Sequence, residues 1–174
     1  GLPGSGKTNT ACWIAGQAVL HGARILLADL HANATGQAGE QSLARGLAPL
    51  HSAFLDDPAD TPDAIAGMAW ELCNEVKRRK QGGQGPSILF AADEFTALMR
   101  SSAADELAAL LEAIGQEGRK FGIFPLLCGQ IWTVERVGGS VLRDVLASSF
   151  IHRSKPQQAR LLAPGLGSEV FRLP

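Results

Sequence analysis

The sequence predicts an α/β domain in which a mostly parallel sheet is covered by helices on both faces. Three observations carry this prediction. The apolar runs ARILLADLH, SILFAADEF and FGIFPLLCGQ alternate with segments of helical length, an order that builds parallel sheets through crossover helices. The runs are continuously apolar, as strands buried on both faces must be. Polar residues stand where the runs end, namely Asp29, Asp93, Glu94 and Gln130. Ligands of open parallel sheets bind at those strand ends.

The chain opens GLPGSGKTNT, and Gly1 to Thr8 fit the phosphate-loop pattern G-x-x-x-x-G-K-S/T. In such a loop Gly1, Gly4 and Gly6 let the backbone curl around Ser5, so that N–H groups point inward at bound phosphates. Lys7 would reach the same oxygens as a flexible positive charge, and the Thr8 hydroxyl would hold Mg²⁺. A glycine-rich turn before a helix is the plainer alternative. A strand normally runs straight into a loop of this kind, so the first strand of the sheet is expected to precede Gly1 and to be absent from the chain.

Asn9 to Leu20 then reads as a helix with Gly22 as its C-terminal cap, followed by a buried strand that ends at Asp29. HANATGQAGE reads as a loop, SLARGL as the start of a short helix, and the stretch from Pro49 to Pro62 as an irregular connection. Thr61 with Pro62 makes a good helix start, opening a helix through Lys80 that QGGQGP breaks. SILFAADEF is the second strand, Ala103 to Glu117 a helix, and FGIFPLLCGQ the third strand. VLRDVLASS reads as a helix, SFIHR as a fourth strand, KPQQARLL as a short helix and EVFRLP as an edge strand.

At 174 residues the chain makes one domain, residues 1–174, long enough for a substantial core. A net charge of −1 gives no global attraction to nucleic acid, so any basic surface must be local. Cys12, Cys73 and Cys128 are widely spaced and form neither a metal pattern nor a disulfide framework. A reducing, cytoplasmic compartment is the expectation. No apolar run reaches membrane-spanning length, and any membrane tether is expected from segments outside these residues.

Asp93 could orient a Mg²⁺-bound water, and Glu94 beside it could act as general base on an attacking water. The plainer reading is a helix start, where acids favour the dipole. Gln130 could hydrogen-bond both a γ-phosphate and the lytic water, or be a solvated loop amide. Asp29 reads as a loop-capping acid or a site residue, and His31 as a loop histidine. The run KRRK at Lys77 to Lys80 reads as a solvated helix end or, more sharply, as a contact to nucleic-acid phosphates. Arg119, in EGRKFG, reads as a surface residue or as a finger reaching a neighbouring subunit's nucleotide. Trp13, Trp70 and Trp132 read as core or interface residues.

Taken together, GLPGSGKT, the strand ending ADLHAN, AWELCNEVKRRK before ILFAADE, EGRKFGIFPLLCGQ, and the closing SSFIHRSKPQQARLLAPGLGSEVFRLP resemble the FtsK–HerA superfamily of DNA-pumping ATPases. The resemblance implies a RecA-like core and ATP hydrolysis at subunit interfaces of a hexameric ring around double-stranded DNA. It implies that Lys7 and Thr8 bind phosphate and Mg²⁺, that Asp93 supports Mg²⁺ and that Glu94 activates water. Gln130 would then sense the γ-phosphate and Arg119 would be the finger. Cys128-Gly129 departs from the family, which more often has small residues followed by threonine or serine before the glutamine. Beside this reading stand a RecA- or AAA-type ATPase acting on protein or single strands, and a slow nucleotide-dependent switch.

Overall fold

The structure is a computed structural model and describes residues 6–129. VLRDVLASS, SFIHR, KPQQARLL, EVFRLP and Trp132 therefore lie outside the described residues. Within them the order is α1 (Lys7–Leu20), β1 (Arg24–Ala28), α2 (Gly36–Glu40), α3 (Leu43–Leu47), α4 (Pro62–Lys80), β2 (Ile88–Ala92), α5 (Phe95–Leu98), α6 (Ala104–Glu117) and β3 (Ile123–Leu127). Short 3₁₀ turns at Ala48–Ala53 and Gly118–Phe121 follow α3 and α6.

The three strands form a parallel sheet in the order β1-β2-β3. The register pairs Ala28 with Ala92 and Ala92 with Leu127, so the carboxyl ends of all three lie level. Alternate strand residues feed two separate cores. Leu26, Ala28, Ile88, Phe90, Ala92 and Ile123 pack with α4, α5 and α6. Ile25, Leu27, Leu89 and Ala91 pack with α1, α3 and Phe54 on the other face. A strand covered on both faces needs apolar residues at every position, which is why the sequence shows runs rather than alternation. Helices α4 and α6 both cover the first face, as right-handed crossovers stepping in one direction across a sheet require.

Helix α1 ends as its sequence predicts: Gly22 takes φ +84° just past the C-cap His21, a left-handed turn that glycine makes without strain. The segment after the 3₁₀ turn runs along the outer edge of β1. Leu55 N–H donates to Ile25 O at 2.9 Å and Ala59 N–H to Leu27 O at 2.9 Å. The Arg24 guanidinium fastens it further, through Ala53 O and Phe54 O. That edge is therefore covered rather than left open to intermolecular pairing. In β3, Gly122 O and Cys128 N–H both bond to β2, so by strand alternation Pro125 faces its nitrogen away from β2 and costs no bond to it.

Three sequence expectations need correction. HANATGQAGE is not all loop, since its end forms α2. Of the core and interface readings of Trp13 and Trp70, the core one fails, since they are 64% and 62% exposed. The run KRRK is not a uniformly solvated helix end. Arg79 is 6% exposed, because it continues the stripe Ile65, Ala69, Leu72, Val76 that α4 turns to the core. Its guanidinium donates to Glu75 Oε1 at 2.7 Å, Phe121 O at 2.6 Å and Pro86 O at 2.7 Å. One side chain thus ties the end of α4 to the entrances of β2 and β3. Arg78 makes two bonds to Glu75 at 2.6 Å and a third to Gln84 O.

Candidate functional site

The site assembles at the carboxyl ends of the strands. Gly6, at φ +84°, turns the chain into α1. The first N–H to find an acceptor within that helix is that of Thr10, on Gly6 O at 3.1 Å. Helix first turns leave their leading N–H groups without intrahelical partners and carry a partial positive charge. No acid stands in this first turn to neutralise it. Lys7 and Thr8, its first two residues, are half-buried.

Asp93 and Glu94 follow β2 directly. Asp93 Oδ1 accepts the Glu94 N–H at 2.9 Å. Glu94 takes φ 43° and ψ 40°, and among the described residues it is the one non-glycine at positive φ. That left-handed backbone costs a side-chain-bearing residue about 1–2 kcal/mol, and such strain clusters at functional turns. It also ends the strand alternation, so the two adjacent carboxylates need not point to opposite faces. Glu94 is the N-cap of the four-residue α5, so the helix-start reading is correct for its backbone. Its side chain, however, makes no cap bond.

Burial pushes the Asp93 carboxyl up to about 6. The nearby charges of Asp29 and Glu94 add to the rise, and N–H donors from Glu94 and Leu43 oppose it. Asp29 is the more buried of the two aspartates, at 1% exposed. Its carboxylate accepts N–H bonds from His31 and Ala44, each at 2.9 Å. The loop-capping reading of Asp29 therefore holds, and its charge also bears on the acid pair, which sequence alone did not reveal. His31 is exposed.

Cys128 follows β3 and completes the row of strand ends. Burial first and Asp93 next push its thiol up to about 12, with Lys7 acting against them and Cys12 and Glu94 adding to the rise. A thiol held protonated in this way is no nucleophile. It marks the site: Lys7 and Cys12 from α1, and Asp93 and Glu94 just past β2, all act electrostatically on one sulfur atom. The structure thus brings Gly6, Lys7, Thr8, Asp93 and Glu94 to one end of the sheet.

Arg119 is not among them. It is exposed, in the 3₁₀ turn before β3, separated from the acid pair by the length of a five-residue strand, about 17 Å. Gly1, Gly4, Ser5 and Gln130 lie outside the described residues. Among the described residues, no group of three or more His, Cys, Asp or Glu side chains is placed to hold a metal, and no helix is long and apolar enough to cross a membrane. Comparison with protein-family models, curated proteins and solved structures returns no match. The residues and their placement therefore carry the functional reading.

The environment of Asp93 makes a prediction about stability. Its carboxyl sits near 6 in the fold against 3.8 when unburied, so the folded chain holds this proton more tightly than the unfolded one. The resulting stabilisation is complete below pH 3.8 and is lost as pH rises through about 6. Above that, the buried charge costs on the order of 1–3 kcal/mol. Asp93→Asn should therefore raise the melting temperature of nucleotide-free protein at pH 7.5 and change it little at pH 4. Equal shifts at the two pH values would refute the buried-charge account.

Proposed function

We propose that the chain is an ATP-hydrolysing motor domain with a RecA-like core, of the FtsK–HerA kind, that moves double-stranded DNA. One observation carries the reading: the lysine of the phosphate-loop pattern and the acid pair after β2 lie at the same end of the level strands, within electrostatic reach of Cys128. A phosphate loop alone would fit many nucleotide binders. An acid adjacent to the Mg²⁺-supporting aspartate favours hydrolysis, because a group that activates water is of no use to a mere binder.

The environment of Asp93 supports the Mg²⁺ part of this reading. A half-buried carboxyl raised first by burial and further by its acidic neighbours is a place where a divalent cation would restore the ionised form. Mg²⁺ is ordinarily held by one or two side chains together with phosphate oxygens and water, so a full protein cage is not required. Thr8 and Asp93 would hold the ion, and bound Mg·ATP would supply the γ-phosphoryl group that water attacks. Lys7 sets its ammonium against the phosphate oxygens, with the leading N–H groups of α1 alongside. Glu94 takes the proton of the attacking water. The phosphate-loop pattern assigns Gly1, Gly4, Ser5 and Gly6 to the cradle, and the resemblance assigns Gln130 to sensing the intact γ-phosphate. Arg119, at the far end of its own sheet, acts only on the nucleotide of a second copy, which agrees with a ring of subunits, hexameric in the family the sequence resembles.

The test is ATP hydrolysis by the full-length protein with and without duplex DNA across a salt series. Stimulation by duplex that fades as salt rises is the expected result, since backbone contacts release counterions. Turnover indifferent to DNA would favour an ATPase acting on protein, and tight ATP binding without turnover would favour a switch.

A further inference from the structure

The end of the sheet remote from the acid pair carries the chain's densest run of positive charge. KRRK closes α4, and α6 closes beside it, with Lys80 Nζ paired to Glu117 Oε2 across the two helix ends. The Arg79 bond to Phe121 O brings the turn bearing Arg119 and Lys120 alongside. Six cations thus gather around two carboxylates, Glu75 and Glu117, in a chain whose net charge is −1.

The fold divides these cations by task. Arg78 and Arg79 share Glu75 and bind the carbonyls of Gln84 and Pro86, which fixes the loop 81–86 in place. Lys77, Lys80, Arg119 and Lys120 are exposed. Among the described residues, Lys77, Arg119 and Lys120 are in no ion pair. Helix C-termini attract cations, and the paired arginines already meet that demand, which leaves the exposed lysines, Lys80 among them on the rim beside Glu117, for another task. Lys77 and Lys80, three residues apart, share one side of α4, and the pinned loop presents the exposed amides of Gln81 and Gln84 between them and β2. Flexible ammonium groups around a fixed loop suit phosphates on a repeating backbone. They lack the fork geometry that would read bases.

We infer that Lys77, Lys80 and Lys120, with loop 81–86, form a docking surface for the phosphate backbone of nucleic acid. This deepens the motor reading and rests on it. The surface reads no sequence, as a motor that must travel over any sequence requires.

The experiment is fluorescence anisotropy of labelled duplexes and single strands of about 30 nucleotides with the full chain, titrated between about 50 and 200 mM salt. The Lys77→Gln, Lys80→Gln, Lys120→Gln triple variant should bind the duplex about tenfold or more weaker at the low-salt end. Its log K against log salt slope should be shallower by about 2–3. The matching triple variant to arginine should bind as wild type does, and both should keep DNA-independent ATP turnover. Wild-type binding with no loss in the glutamine variant overturns the surface and leaves the motor reading standing. No wild-type binding to either nucleic acid overturns both. A glutamine variant that changes oligomeric state with DNA affinity intact also overturns the proposal, because these lysines, and not Arg119 alone, would then contact a second copy instead of nucleic acid.

Discussion

Glu94→Gln is expected to leave nucleotide binding intact and to cut ATP turnover by about two to four orders of magnitude, the usual weight of a positioned general base. The substitution keeps the size and backbone demands of the side chain, so the left-handed turn at this position is no more strained than before. What changes is the ability to take a proton. Lys7→Ala should give the opposite pattern, with nucleotide affinity lost before chemistry is reached, because its charge is the part of the site directed at phosphate. Titration with a fluorescent nucleotide, run beside steady-state turnover, separates the two. Unchanged turnover in Glu94→Gln would remove Glu94 from the mechanism. Intact nucleotide affinity in Lys7→Ala would remove the phosphate loop.

The second large effect concerns stability. Arg79→Ala should cost about 3–5 kcal/mol, the range for breaking a buried ion pair, and should lower the urea midpoint accordingly. Three bonds are lost at once, and two main-chain carbonyls at the entrances of β2 and β3 are left without their donor, while Glu75 keeps Arg78. Lys77→Ala, two residues away and exposed, should stay within about 0.5 kcal/mol of wild type. Acid adds a signature. Arg78 first, and Arg79 with it, hold the Glu75 carboxyl down at about 2 against 4.5 when unpaired. The folded state thus gains stability from this carboxylate above pH 4.5 and loses it as pH falls toward 2. Glu75→Gln should accordingly destabilise at neutral pH and converge on wild type in acid. A constant difference across that range would count against the clamp.

Much of the fold was legible because local signals agreed with the tertiary outcome. Thr61 and Pro62 opened α4 and the glycines after Lys80 closed it, at the boundaries the structure has. The three apolar runs became the three strands, since strands buried twice over tolerate little else. Asp93 and Glu94 were legible from their place at the end of such a run. What escaped was set by neighbours distant in sequence. KRRK looks uniform in one dimension, and only the fold divides it into a buried arginine and an exposed rim. A signal was nonetheless present: counting from Ile65 along the apolar stripe of α4 lands on Arg79, with Glu75 four residues before it. The core alternative for Trp13 and Trp70 rested on large aromatic residues ordinarily lying largely inside, and it failed because these two are exposed. The charge of Asp29 near Asp93 follows from strand order, which no local pattern states.

The parallel sheet has a consequence for how the chain reaches this state. Arg24 pairs with Ile88, and Ile88 with Ile123, so no strand in the described sheet pairs with a partner close by in the chain. Every such contact must wait for a long loop to close, while α4 and α6 can form from local interactions alone. Refolding from denaturant should therefore show helical signal ahead of sheet consolidation, with overall rates in the slow range typical of non-local topologies. During that interval the runs ILLA, ILFAA and IFPLL are exposed together. Crowded or rapid synthesis should then favour aggregation over assembly, and slower production at low temperature should improve the yield of folded protein.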